Sequence, residues 1–148
     1  MKKCYLDSNI LINLKNTKSS FHKKTKELLV SLVNNSYNLC ISSLVLDEFL
    51  HQFQHILKFQ KKRDILKKVL YALESVMSLP KLKLVNPPLS KKNHLKIVGY
   101  MKDYNLLPRD AYHFLIMKEN KIGYFATFDK DFREVFREGK INDVFSVI

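Results

Sequence analysis

Four short apolar runs, Lys3–Leu6, Tyr37–Ile41, Leu82–Val85 and Tyr124–Ala126, alternate along this chain with longer stretches whose apolar residues recur at helical spacing. Strands separated by helices cannot be joined as tight hairpins, so they pair in parallel, and a parallel sheet needs helices on both faces. The expected fold is a three-layer α/β/α sandwich around a central parallel sheet of about four or five short strands. The 148 residues, with three glycines and four prolines, make one domain's worth of chain with little room for long irregular loops.

The helical segments are legible from caps and periodicity. Ser8–Asn9 can cap a short helix carrying Ile10, Leu11 and Leu14, and Ser20 can cap one on which Leu28, Leu29, Leu32 and Val33 recur. Ser42 or Ser43 opens a third, with Val45, Phe49, Phe53, Ile56 and Leu57 on one arc. A fourth runs from about Lys62 to Met77 and places Ile65, Leu66, Val69, Leu70, Leu73 and Val76 on its apolar face. After the Pro87–Pro88 break a fifth passes through Leu95, Val98 and Met101. Pro108 suits the opening of a sixth, which carries Asp110, Phe114, Leu115 and Met117. Asp129 is expected to open a last helical turn and Val144–Ile148 a final strand.

Cys4 and Cys40 lie inside strand-like runs and read as buried thiols rather than zinc ligands. No secretory signal precedes Asp7, and the apolar runs are too short to span a bilayer, so a cytoplasmic protein with no membrane attachment is expected. The formal charge of +12, from 26 Lys and Arg against 14 acids, is carried largely by patches such as Lys23–Lys24–Lys26, Lys61–Lys62–Arg63, Lys67–Lys68 and Lys91–Lys92. A field of this sign favours phosphate-rich partners, although any one patch is equally well read as a solvated helix face.

Against that background the acids fall where strands hand over to helices or helices begin: Asp7, Asp47–Glu48, Asp110, and Asp129 with Asp131. In an open parallel sheet the carboxyl ends of the strands share one edge, and one edge could receive all of them. Two such charges about 5 Å apart at an effective dielectric near 20 repel by about 3 kcal/mol, which a divalent cation would relieve. Singly, Asp7, Asp110 and Asp129 are also adequate as helix caps or dipole partners. Asp47 and Glu48 flank the apolar arc of their helix at similar angles, and periodicity does not choose between them.

The segments Asp7-Ser8-Asn9 after an apolar strand, Leu44-Val45-Leu46-Asp47-Glu48-Phe49, Arg109-Asp110-Ala111-Tyr112-His113 and Thr127-Phe128-Asp129-Lys130-Asp131-Phe132 together resemble the PIN-domain family, especially VapC-type toxins. The likeness runs in order along nearly the whole chain. It implies a PIN-like sandwich in which Asp7, Glu48, Asp110 and Asp129 form an acidic centre for Mg²⁺ or Mn²⁺. Thr127 supports that centre, and Asp131, Ser8 and Asn9 match further positions of the motifs. Leu115-Ile116-Met117 stand where the family often has small residues.

The same resemblance implies a metal-dependent endoribonuclease, the toxin of a toxin–antitoxin pair, acting on RNA as a homodimer and held by an antitoxin. Asp7 and Asp129 are expected as direct ligands, with Asp110 and Glu48 acting through water or at a second ion. Arg109 and Lys130, beside the acids, are expected on RNA phosphates. Phe53, Leu57 and Phe59 are candidates for a protein-binding surface. A housekeeping RNA-processing nuclease and a non-catalytic RNA-binding module are the alternatives. A di-iron helix bundle, suggested by Glu48-x-x-His51 and Asp110-x-x-His113, would require two further inward glutamates and no sheet.

Overall fold

A computed structural model describes all residues from Met1 to Ile148. The chain runs β1 (Lys3–Leu6), α1 (Ser8–Lys15), α2 (His22–Asn34), β2 (Asn38–Ser42), α3 (Ser43–Ile56), α4 (Lys62–Met77) and β3 (Leu82–Val85). It continues through α5 (Lys91–His94), α6 (Ile97–Tyr104), α7 (Pro108–Glu119), β4 (Tyr124–Ala126), α8 (Arg133–Arg137), β5 (Asn142–Asp143) and a 3₁₀ turn at Val144–Ser146. The five strands form one parallel sheet in the order β3-β2-β1-β4-β5. Helices flank it, as the alternation of strand and helix required, and the sheet excludes the di-iron bundle.

β1 and β4 are neighbours at the reversal of strand order, the place where open α/β sheets leave a crevice at their carboxyl edge. β1, at the middle of the sheet, buries Cys4, Tyr5 and Leu6 completely. Tyr5 and Phe125 stand side by side in register, with Tyr5 5.7 Å from the His113 ring of α7 and Phe125 4.8 Å from Phe132. α2 packs on α1 and β2, while α3 packs on α1, α4 and β2. Both cysteines are free and buried.

α3 begins where Ser42, the last residue of β2, accepts the backbone N–H of Val45 on its hydroxyl, an N-cap contribution of about 1 kcal/mol. Val45, Glu48, Phe49 and Phe53 form its buried face, and full burial of Phe49 contributes about 2–3 kcal/mol. α7 carries Pro108 in its first turn, where a missing N–H costs no hydrogen bond. Leu115, Ile116 and Met117 are all in the core.

Several boundaries differ from the sequence reading. Asp7, not Ser8 or Asn9, is the N-cap of α1. α2 starts after Phe21 with no side-chain cap; Ser19, rather than Ser20, accepts the N–H of Phe21. The fifth helix is broken between His94 and Ile97 into α5 and α6. Asp129 opens no helix: its carboxylate accepts the N–H of Asp131 in a turn, and α8 begins only at Arg133. The last strand is Asn142–Asp143, because Asp143 accepts the N–H of Phe145 and turns the chain into the 3₁₀ segment where a strand was expected.

The apolar face read on α4 is only partly covered: Val76 is buried and Ile65, Val69 and Leu73 are half-buried, but Leu66 and Leu70 are exposed. Only Ala72 and Val76 of its 16 residues are in the core, and Tyr71 is exposed as well. Conversely, Phe53 belongs to the core and stacks on Phe49, so it offers no surface; Leu57 is half-buried and Phe59 alone of the three stands free. No helix is long and apolar enough to cross a membrane.

Candidate metal centre

The carboxyl ends of β1 and β4 are stitched together by the first candidate motif. The N–H of Asp7 bonds to the carbonyl of Ala126 at 3.0 Å, continuing the β1–β4 ladder by one residue. Asp7 Oδ1 accepts the N–H of Ser8 at 2.7 Å, and Oδ2 accepts the Thr127 hydroxyl at 2.6 Å and the Asn9 amide at 3.0 Å. Asn9 also donates to Thr127 Oγ1 at 3.1 Å and accepts the N–H of Phe128 at 3.2 Å. Thr127 Oγ1 in turn accepts the N–H of Asp129 at 3.0 Å, which places the Asp129 backbone against the end of β1. Asn9 and Thr127 therefore act as struts between two strand ends that are far apart in sequence.

Glu48 reaches the same crevice from the second turn of α3. It is 7 % exposed, while its neighbour Asp47 lies on the solvent side, so the structure makes the choice that the helical wheel left open. Glu48 Oε1 accepts from His113 Nε2 at 3.2 Å and forms an ion pair with Arg109, whose Nε is also 3.2 Å away. His113 Nδ1 is 3.0 Å from the Tyr5 hydroxyl, which is 2.5 Å from Ser42 Oγ. Asp110 comes in half-buried from the first turn of α7.

Asp7, Ser8, Asn9, Glu48, Arg109, Asp110, His113 and Asp129 line one cleft of about 570 Å³. Ligand atoms of Asp7, Glu48 and His113 lie within 4.8 Å of one another, a cluster able to hold a metal ion. Thr127 lies beneath it, buried and bonded to Asp7. Lys130 and Asp131 are exposed on the turn after β4 and do not line the cleft; Asp131 lines a separate hollow with Lys102, Asp103 and Arg133.

The electrostatics differ from acid to acid. Burial raises the Asp7 carboxyl above its ordinary value, with the Thr127 hydrogen bond the largest opposing influence. Asp110 is pushed up to about 6, by burial first and then by the charges of Asp131, Asp129 and Asp7, with His113 acting in the other direction. Burial also acts to raise Glu48, but hydrogen bonds from His113 and Ser8 and the charge of Arg109 outweigh it and leave Glu48 below the ordinary range. Asp131 is raised chiefly by the adjacent Asp129 charge.

His113 was not among the expected site residues. Its signal was present in Asp110-x-x-His113, because residues three apart share a helix face and α7 turns both into the cleft. The parallel pattern Glu48-x-x-His51 gave no such pair: His51 and His55 are exposed on α3. Arg109, expected on RNA, is bound to Glu48 through Nε, with its side chain otherwise 62 % exposed.

Comparison with known proteins gives the same assignment for the chain as a whole. Residues 4–137 match the PIN domain. Ribonuclease VapC6 of Methanocaldococcus jannaschii is 30% identical over 145 residues, covering 88% of this chain and 91% of that protein. Among solved structures, the fold is similar to that of Mycobacterium tuberculosis VapC20, a Sarcin-Ricin loop cleaving toxin (TM-score 0.65, 16% identity, 89% of this chain and 94% of that one). It is also similar to a chain of a toxin-antitoxin complex from Klebsiella pneumoniae (TM-score 0.58, 20% identity, 87% and 89%). With a domain match from the first strand to the last helix and a relative aligned along nine-tenths of its own length, this chain belongs to the PIN-domain family.

Proposed function

We propose that the chain is a single-domain VapC-type endoribonuclease that hydrolyses RNA phosphodiester bonds with Mg²⁺ or Mn²⁺, as the toxin of a toxin–antitoxin pair. The observation that carries this reading is the convergence of Asp7, Glu48, Asp110 and Asp129, from four separate elements, on one cleft. The donor set fits a hard divalent cation, which takes carboxylate oxygens and keeps several waters. A bound cation supplies acidification of water and charge neutralisation at the scissile phosphate.

The remaining work falls to the chain itself. Asp7 and Asp129 are assigned as direct ligands, and Asp110 and Glu48 as outer ligands or ligands of a second ion. Ser8, Asn9 and Thr127 hold the Asp7 carboxylate through the bonds described above, so its orientation costs little to maintain when substrate enters. Arg109, tied at Nε, keeps its terminal nitrogens for a phosphate oxygen. Asp131 lies outside the cleft and contributes through the local field on Asp110.

Lys130 and the exposed lysine patches are assigned to the RNA backbone, held by counterion release. Lys130→Ala should weaken binding to single-stranded RNA of any sequence and reduce the slope of log K against log salt by about 0.7. Filter binding across a salt series measures this; an unchanged slope removes Lys130 from the interface. Asp47→Ala should leave stability, within about 0.5 kcal/mol by thermal melting, and cleavage rate unchanged, whereas Glu48→Gln should slow cleavage. Equal effects at the two positions would contradict the assignment of Glu48.

A homodimer and an antitoxin are part of the same proposal. Phe59, Leu66, Leu70 and Tyr71 leave an apolar face exposed along α4 and the turn before it, which supports a protein partner there. The decisive experiment is cleavage of a total-RNA pool with and without Mn²⁺, comparing the native chain with Asp7→Asn and mapping the cut ends. RNA bound in EDTA but never cut with Mn²⁺ would favour a non-catalytic binding module instead.

A further inference from the structure

We infer that Ser42, Tyr5 and His113 form a buried hydrogen-bonded chain whose purpose is to hold Glu48 as a one-oxygen ligand, making His113 a positioning residue of the metal centre. The inference rests on the metal-centre reading proposed above. The route begins and ends on α3. Val45 N–H donates to Ser42 Oγ at 3.3 Å, Ser42 Oγ is 2.5 Å from Tyr5 Oη, Tyr5 Oη is 3.0 Å from His113 Nδ1, and His113 Nε2 is 3.2 Å from Glu48 Oε1.

The direction of each hydrogen follows from what the ends can do. The Val45 N–H can only donate, and the Glu48 carboxylate can only accept, so His113 Nε2 carries the hydrogen shared with Glu48. In the uncharged ring Nδ1 is then an acceptor, and the Tyr5 hydroxyl donates to it. Tyr5 oxygen accepts the Ser42 hydroxyl, and Ser42 oxygen accepts Val45 N–H. Every group in the chain is satisfied.

Core filling does not account for this set. Tyr5 and Ser42 are 0 % exposed and His113 2 %, and apolar residues of similar size would fill the same space without a desolvation cost. The polar chain ends at an acid of the cleft and nowhere else. At that end Oε1 accepts His113 Nε2–H at 3.2 Å and is also ion-paired with the Arg109 guanidinium, whose Nε is 3.2 Å away, so both partners engage this one oxygen. Glu48 is left with Oε2 for a cation. The alternative, in which His113 is itself a ligand alongside Asp7 and Glu48, needs the Nε2 lone pair and breaks the bond to Glu48.

The two arrangements are separated by Mn²⁺ binding to the full chain without RNA, followed by calorimetry and by electron paramagnetic resonance. His113→Leu should weaken Mn²⁺ by about 10–100-fold, and Tyr5→Phe should weaken it by less, both with a native circular dichroism spectrum. His113→Gln, whose amide can still donate to Glu48, should recover most of the affinity, and the native Mn²⁺ signal should show no directly bound nitrogen. A bound nitrogen, or failure of His113→Gln to recover affinity in a folded protein, overturns the positioning role in favour of direct ligation. Native-like affinity in both His113→Leu and Tyr5→Phe overturns it in favour of packing. Should His113→Leu fail to fold, Tyr5→Phe carries the test alone. A native chain that binds no Mn²⁺ overturns the metal-centre reading and this inference with it.

Discussion

Asp7→Asn should reduce RNA cleavage by at least about 10²–10³-fold, the usual loss when a group that stabilises charge in the transition state is removed, while leaving the protein folded. The substitution is nearly isosteric, and Asn is as good an N-cap as Asp, so α1 keeps its start. One carbonyl oxygen can still accept the N–H of Ser8. Loss is confined to the other oxygen, where an amide now meets the Thr127 hydroxyl and the Asn9 amide, and to the charge. Removing that charge also relieves repulsion with Glu48 and Asp110. Stability should therefore change by no more than about 1 kcal/mol, and Asp7→Ala, which loses the cap, should be the less stable of the two variants. Cleavage assays beside thermal melts make the comparison; an Asp7→Asn protein that is folded and cuts within tenfold of native would remove Asp7 from the chemistry.

Asp110→Asn is expected to do two opposite things: abolish cleavage to a similar degree and raise the melting temperature of the metal-free protein near pH 7.5. The sign follows from the raised carboxyl. A group held at about 6 in the folded chain, against an ordinary value of 3.8, contributes stability when protonated, below about pH 4, and loses it as pH rises through about 6. Asp7 is shifted the same way, whereas the lowered Glu48 contributes above its ordinary value and loses stability only in more acid solution. Asp110 is half-buried, so after solvent screening its share is on the order of 1 kcal/mol, or about 2–5 °C in melting temperature. With metal-free native protein, melting should fall between pH 5 and 7, and the Asp110→Asn protein should show a shallower fall. Saturating Mn²⁺ should stabilise the native chain and stabilise Asp110→Asn less. A native melting temperature that rises from pH 5 to 7 without metal would contradict the assignment.

What could be read in the sequence was what local pattern dictates. The strand cores, the long helices α3 and α4, the Pro108 start of α7 and the parallel sheet all follow from periodicity, caps and the order of elements. Boundaries moved where a side chain made an unforeseen local bond: Asp143 with Phe145 shortened the last strand, and Asp129 with Asp131 replaced a helical turn. The exposure of Leu66 and Leu70 was unreadable because a helical wheel reports a face but not whether anything covers it. At the site, the acids could be named in advance, but Glu48 was separated from Asp47 only by resemblance until tertiary packing buried one and not the other. His113 was missed because its meaning depends on Tyr5 and Glu48, partners 108 and 65 residues away in sequence.

The pairing of β1 with β4 also bears on how such a protein is made. Asp7 is joined to Ala126 and Thr127 across about 120 positions, and its strand lies in the middle of the sheet. During synthesis the amino-terminal strand can dock on β2 early, but its other edge stays open and the strut from Thr127 is missing until β4 emerges. The acids therefore meet only after β4 and the turn carrying Asp129 have left the ribosome. Until then the nuclease proposed above lacks both Asp129 and the strut on Asp7, and so has no assembled acidic centre.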